Sequence, residues 1–203
     1  MRAEVINKIN KKQEKGGFMD IFKNGNKKVV LDVKKLSKIT NVLREITEHR
    51  IVVTIGTWDM LHIGHLRYLI KAKSHGDILV VGVDSDRAVR LYKGEHRPIV
   101  PEHERIEMLR YQNCVDLITL VDDVDEKANW QYGLIRAIKP DVFVAVEDSY
   151  PEEQRIEIRK HCGELVVLPR QAENTSTSNF IQKVVKEHLQ KIIGVIESGK
   201  VKV

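Results

Sequence analysis

Cysteine is scarce: Cys114 and Cys162 are the only two in 203 residues, a usage that fits a reducing cytoplasm. No apolar run approaches the roughly 18 residues that a membrane span requires. Nor does a charged-then-apolar leader open the chain. Secretion and membrane insertion are therefore not expected, and no internal repeat is visible. A hydrophobic content of 42% is enough for a sizeable core in one α/β domain with an appendage. It excludes fibrous and wholly disordered readings.

The formal charge of +5 is unevenly spread. Residues 1–50 carry 13 Lys+Arg against 6 Asp+Glu, while the remaining 153 carry 21 against 23. The body is thus not a polycation seeking a phosphate backbone, and nucleic acid is not an expected partner. The basic segment reads as a solvated tail or partner arm, with contact to RNA or an anionic surface as the alternative.

Met1 to Gly17 is rich in Lys, Asn, Gln and Glu and ends in Gly16-Gly17, a composition that buries little and frays or forms a solitary helix. Leu36, Ile39, Val42, Leu43 and Ile46 then recur at helical spacing, predicting an amphipathic helix that packs on the rest of the domain. From residue 51, near-continuous Val/Ile/Leu runs (51–55, 78–83, 117–121, 142–146 and 165–168) alternate with helical stretches (66–74, 86–91, 101–111, 129–138 and 151–161). A last helix is expected over 179–196. Such alternation predicts a Rossmann-like, five-stranded parallel sheet with helices on both faces. Open sheets of this kind bind ligands where strand ends run into helices.

The first run leads into Gly56-Thr57-Trp58-Asp59-Met60-Leu61-His62-Ile63-Gly64-His65. Gly56 lets the chain turn tightly, and two imidazoles at a helix start stand beside unpaired N–H groups and a positive dipole end, a setting suited to phosphate. Capping histidines are the plain alternative, and a metal site is a second, although two ligands leave its coordination short. Near the other end, Leu168-Pro169-Arg170 is followed by Thr175-Ser176-Thr177-Ser178. One hydroxyl suffices to cap a helix; several with an arginine suggest a second anion cradle. Asp84 and Asp86 close the second run, as N-cap or as contacts to an acceptor or Mg²⁺. Glu147 closes the fourth and is a further candidate for contact with the acceptor or Mg²⁺.

The stretch from Gly56 to His65 resembles the G-[TC]-F-D-x-x-H-x-G-H signature of cytidylyltransferase-like nucleotidyltransferases, with Trp58 in place of Phe. The resemblance runs from about Val29 to Leu189. It divides the chain into a partly flexible extension over 1–28 and a nucleotidyltransferase domain over 29–198, with its core at 51–189. It implies that Asp59, His62 and His65 surround the α-phosphate of a nucleoside triphosphate, with Gly56, Thr57, Trp58 and Gly64 completing the nucleotide site. The segment Arg170 to Ser178 resembles the R-T-x-G-[IC]-S-T-T stretch of glycerol-3-phosphate cytidylyltransferases and of the adenylyltransferase domains of ADP-heptose synthesis. By that resemblance Arg170, Ser176, Thr177 and Ser178 hold the β- and γ-phosphates, although Asn174 stands where the family has glycine. Lys93 to Arg105 resembles the K-G-x-x-R-P-[IV]-x-P-x-x-x-R segment of the heptose-phosphate enzymes. Lys93 and Arg105 are then phosphate ligands, and Arg97 a further candidate for phosphate or acceptor; a solvated connector between prolines is the plain alternative for this loop.

The resemblance implies direct in-line attack of an acceptor phosphate at the α-phosphorus, with His62, His65, Lys93 and Arg170 opposing the growing charge. Mg²⁺ is expected to arrive with the phosphates rather than in a protein-only site. ATP with a sugar (heptose) 1-phosphate is the first choice of substrates. CTP with glycerol 3-phosphate is the alternative, and a non-catalytic nucleotide-binding protein is the alternative of another class. Aminoacyl-tRNA synthetases share His-Ile-Gly-His but need a Lys-Met-Ser-Lys-Ser loop that is not visible here. A homodimer is expected by resemblance.

Overall fold

The computed structural model describes residues 28–173 and 175–197. The basic extension up to residue 27, Asn174 and the tail from 198 lie outside the described residues. Each apolar run is a strand: β1 (Ile51–Gly56), β2 (Ile78–Asp84), β3 (Leu117–Val121), β4 (Val142–Val146) and β5 (Glu164–Leu168). All neighbours pair in parallel, in the order β3-β2-β1-β4-β5. Parallel pairing requires crossovers, and helices supply them. The helices are α1 (Val33–Thr47), α2 (Ile63–Lys73), α3 (Asp86–Lys93), α4 (Glu102–Arg110), α5 (Gly133–Ile138), α6 (Glu152–Arg159) and α7 (Thr177–Glu197).

The strand pleat sorts the core into two layers. Val52, Leu79 and Val81 face one side with Tyr68, Leu69 and Ala72 of α2 and Ile106 and Leu109 of α4. Ile51, Val53 and Val80 face the other with Leu36 of α1, Leu134, Ile135 and Ile138 of α5 and Ile158 of α6. Because both faces are covered, the strands read as unbroken apolar runs rather than as alternation.

Two expectations shift in detail. The α1 stripe is only partly used: Leu36 is buried, but Val42 is 49% and Ile46 75% exposed. Six-residue α5 covers one flank only, and polar contacts do the rest. Ser37 Oγ donates to the Ala137 carbonyl at 2.7 Å, and Arg44 reaches the Lys139 carbonyl and the Asp141 carboxylate. The helix expected from Asn129 starts instead at Gly133. Asp125 draws the Lys127 and Asn129 N–H groups into a turn, and Trp130 forms an antiparallel bridge with Val124. Trp130 therefore packs from a turn, not from a helix, tilted on Tyr132 and stacked on Tyr150.

Sheet order places the reversal of winding between β1 and β4, and a crevice opens at the carboxyl ends of such strands. The loops after β1, β2, β4 and β5 all lie on that edge.

Candidate active site

The β1 loop turns through two non-glycine residues in the left-handed region, Trp58 (φ 56°) and Met60 (φ 49°), a conformation that costs an L-residue roughly 1–2 kcal/mol. Trp58 is held there from inside. Its indole N–H donates to the Gly82 carbonyl at 2.9 Å, and its ring packs on Tyr68 and His65. A Cβ on Gly56 would come within 3.3 Å of that ring, so glycine is what lets the indole fold back under the strand end. At 5% exposure, Trp58 is a strut of the loop and not a nucleotide contact. The indole N–H, absent from phenylalanine, adds this hydrogen bond to the packing of the ring.

His62 is the N-cap of α2, and the two histidines form a capping box. His62 Nδ1 accepts the Gly64 N–H at 3.2 Å, and His65 Nδ1 accepts the His62 N–H at 3.4 Å. The capping reading is thus correct, and it does not compete with chemistry. An Nδ1 that accepts carries no proton, so each neutral ring has its hydrogen on Nε2 and keeps one donor free of the cap. The rings stack with centroids 3.9 Å apart. Burial lowers the pKa of both. For His65, burial together with repulsion from His62 and Lys93 outweighs attraction to Asp59 and brings the value down to about 3. These are neutral hydrogen-bond donors at physiological pH.

The hydroxyl-rich loop after β5 meets this corner. Thr177 Oγ1 donates to the Asp59 carbonyl at 2.7 Å across 118 residues of sequence. Phe180 sets its ring edge against His62 at 6.2 Å, and a Cβ on Gly64 would touch Ala172 at 3.2 Å. Ser176 Oγ caps α7 through the Asn179 N–H, and Ser178 is exposed beside it. Arg170 is exposed and paired with Asp148, while Glu147 accepts the Arg170 N–H. The loops after β4 and β5 are thereby clipped together. Phe180, Ala172 and Asp148 were not singled out from sequence, because their parts depend on partners distant in the chain.

Several expected ligands turn out to be internal. Arg105 is 1% exposed. Its guanidinium donates to the carbonyls of Val100, Thr57 and Asp84 and pairs with Asp86 at 2.7 Å. It is a buried tie between loops rather than a phosphate ligand, and Asp86 is its counter-charge rather than a metal or acceptor contact. Asp59, 2% exposed, accepts the Ile99 and Val100 N–H groups and pairs with Arg97 at 2.9 Å. Its carboxylate therefore anchors the Arg97–Val100 loop, and the Arg97 guanidinium is committed to that anchor. Lys93 Nζ donates to Thr57 Oγ1 at 2.9 Å, and burial with the neighbouring Arg97 lowers its pKa. Asp84 Oδ2 accepts from Tyr92 at 2.6 Å, and burial raises its carboxyl pKa.

Thr177, expected from sequence as a phosphate ligand, is 8% exposed and its proton is spent on the Asp59 carbonyl. Among the described residues, then, a neutral His pair, Lys93, Arg170 and the Ser176 and Ser178 hydroxyls gather donors and positive charge on one strand edge. The carboxylates nearby are all engaged. Such a set of donors and cations is chemically suited to an extended anion. Among the described residues no group of three or more His, Cys, Asp or Glu could hold a metal ion, and no helix is long and apolar enough to cross a membrane.

Residues 53–195 match the family described as cytidylyltransferase-like. The chain is 38% identical over 140 residues to the bifunctional protein HldE of Geobacter metallireducens, covering 68% of this chain and 28% of that protein. It is 37% identical over 153 residues to HldE of Helicobacter acinonychis, covering 75% and 31%. The chain thus spans about three-tenths of the length of these relatives. Among solved structures, the lipopolysaccharide core biosynthesis protein from Thermoplasma volcanium aligns with a TM-score of 0.52 at 28% identity, over 60% of this chain and 98% of that one.

Proposed function

The chain belongs to the cytidylyltransferase-like family, and from that premise we propose that it transfers a nucleoside monophosphate from a nucleoside triphosphate to a sugar phosphate and releases pyrophosphate. ATP is the proposed donor and a heptose 1-phosphate the proposed acceptor. The similarity to HldE proteins and the likeness of the Lys93–Arg105 segment to heptose-phosphate enzymes support that choice.

The observation that carries the reading is the Thr177–Asp59 hydrogen bond. It ties the start of the hydroxyl cradle to the loop that leads into the imidazole cradle, so both stand at one corner of the fold. An acceptor phosphate oxygen attacks the α-phosphorus; the new P–O bond forms as the bond to the departing pyrophosphate breaks. No nucleophilic side chain is needed, because the acceptor brings its own oxygen. The Nε2–H groups of His62 and His65 oppose charge on the α-phosphate, and Lys93 adds a full positive charge beside them. Arg170 exchanges its exposed Asp148 partner for the β- or γ-phosphate. Mg²⁺, carried by the phosphates, would neutralise charge on the leaving pyrophosphate. Asp59, Asp84 and Asp86 are each already engaged by a protein partner, so phosphate oxygens rather than these carboxylates would hold the ion.

The test is a matrix of ATP, CTP, GTP and UTP against heptose 1-phosphate, glycerol 3-phosphate and phosphoethanolamine, read by pyrophosphate release. ATP with heptose 1-phosphate should be fastest. Preference for CTP with glycerol 3-phosphate would replace the substrate choice, and no pyrophosphate from any pair would overturn the enzymatic reading.

A further inference from the structure

We propose that Tyr92 is a positioning residue for this reaction: its hydroxyl, set between the Asp84 carboxylate and Thr57, fixes the direction of a hydrogen-bonded chain whose far end presents a lone pair to Lys93. The inference rests on the nucleotidyl-transfer reading for its kinetic consequence, but not for the geometry.

The direction follows from counting protons. Tyr92 has one hydroxyl hydrogen, and it goes to Asp84 Oδ2 at 2.6 Å. Thr57 Oγ1 lies 2.9 Å from the same Tyr92 oxygen. That oxygen has no second hydrogen to give, so Thr57 is the donor in this contact and its own proton is spent. What Thr57 has left is a lone pair, and Lys93 Nζ donates to it at 2.9 Å. Every hydroxyl in the chain therefore points toward Asp84, and the ammonium is captured at the opposite end. Thr57, expected from sequence to contact nucleotide, is 7% exposed and acts by holding Lys93. Tyr92 also touches the lysine directly, with the ammonium 5.6 Å from the centre of its ring.

Around Asp84 the facing groups are Tyr92, Lys93 and Arg105, and each favours the carboxylate against the effect of burial. The chain thus has a charged terminus at each end, carboxylate and ammonium, linked by two neutral hydroxyls. Lysine otherwise sweeps a large volume on its four-carbon stem. One of its three N–H donors is fixed on Thr57 and two remain for an incoming phosphate oxygen. Lys93 is the last residue of α3, before Gly94 turns the chain away at φ 94°, and the helix backbone places its Cα without supplying restraint to the stem. The hydroxyl chain supplies that restraint.

Tyr92→Phe keeps the ring and deletes the link, which makes it the sharp test. Lys93 reactivity toward trace acetic anhydride, read by mass spectrometry against exposed Lys35, should rise severalfold in the variant without any substrate present. With the best substrate pair, kcat should fall about tenfold while KM for the triphosphate changes far less, as expected for a misplaced charge. In a Lys93→Met background the same Tyr92→Phe change should add nothing, because its effect passes through Lys93. Unaltered Lys93 labelling in Tyr92→Phe would overturn the proposal, and so would an equal loss of turnover with and without Lys93. If the unaltered protein releases no pyrophosphate with any pair, the function falls, while the labelling result still decides the hydroxyl chain.

Discussion

A neutral imidazole that donates from Nε2 can oppose growing negative charge without first collecting a proton, and the capping box gives His62 and His65 that form through the backbone. His65→Ala should therefore cost about 10²–10³ in kcat, the loss typical of a missing transition-state donor, with a smaller change in KM. Steady-state kinetics check it, and near-normal turnover would remove His65 from the chemistry. At this scale the sequence identified positions better than depths. The spacing from Gly56 to His65 located the corner, because helix-start chemistry depends on local order. The same spacing gave no sign that Trp58 and Arg105 are buried. An arginine in a cationic loop looks like a phosphate ligand until the carbonyls of Val100, Thr57 and Asp84 are seen to surround it. Those contacts come from three separate segments, two loops and the end of β2, and have no signature in any one of them. Tyr92 was missed for a related reason: its hydroxyl has meaning only through Asp84, two helical turns back on the preceding strand.

Between elements, the decisive contact is the one that lashes the start of α7 to the loop after β1. Thr177→Val keeps the shape and removes the hydroxyl, leaving the Asp59 carbonyl without that donor in a buried place. A loss of about 1–3 kcal/mol is expected, measured by urea unfolding, together with a KM for the triphosphate that rises more than kcat falls, since the second cradle loses its anchor. Unchanged stability and unchanged KM would mean that the two cradles are held together by something else. The strands were legible to within a residue or so because burial on both faces demands continuous Val, Ile and Leu. Helix boundaries were less so. Asn129 and Trp130 belong to a turn that the Asp125 carboxylate organises, and a carboxylate that competes with a helix start looks on paper like an acidic first turn.

For the whole molecule, the site and the fold are coupled through protons. His62 and His65 titrate below their ordinary value of 6.5 in the folded chain, His65 at about 3, so below pH 6.5 the unfolded chain binds protons that the folded chain refuses. The His65 contribution to stability then rises with pH between about 3 and 6.5, by up to about 1.4 kcal/mol per pH unit, and His62 acts in the same direction. Asp84 and Glu102, whose pKa values burial raises, act oppositely: the folded chain holds their protons longer, so their contribution declines as pH rises through the folded values. A bound triphosphate acts on the first of these balances wherever it meets the imidazoles. Its negative charge favours imidazolium, raises both histidine pKa values and draws in protons, so affinity should grow as pH falls. The rise in Tm caused by a fixed excess of Mg-nucleotide should accordingly be larger at pH 5.5 than at pH 8. In a His62→Gln, His65→Gln double variant that extra increment should vanish, and the nucleotide's own titration cancels because it is common to both proteins. Equal pH dependence of the Tm increment in the two proteins would place the triphosphate away from the imidazoles, and the catalytic roles assigned to them would go with it.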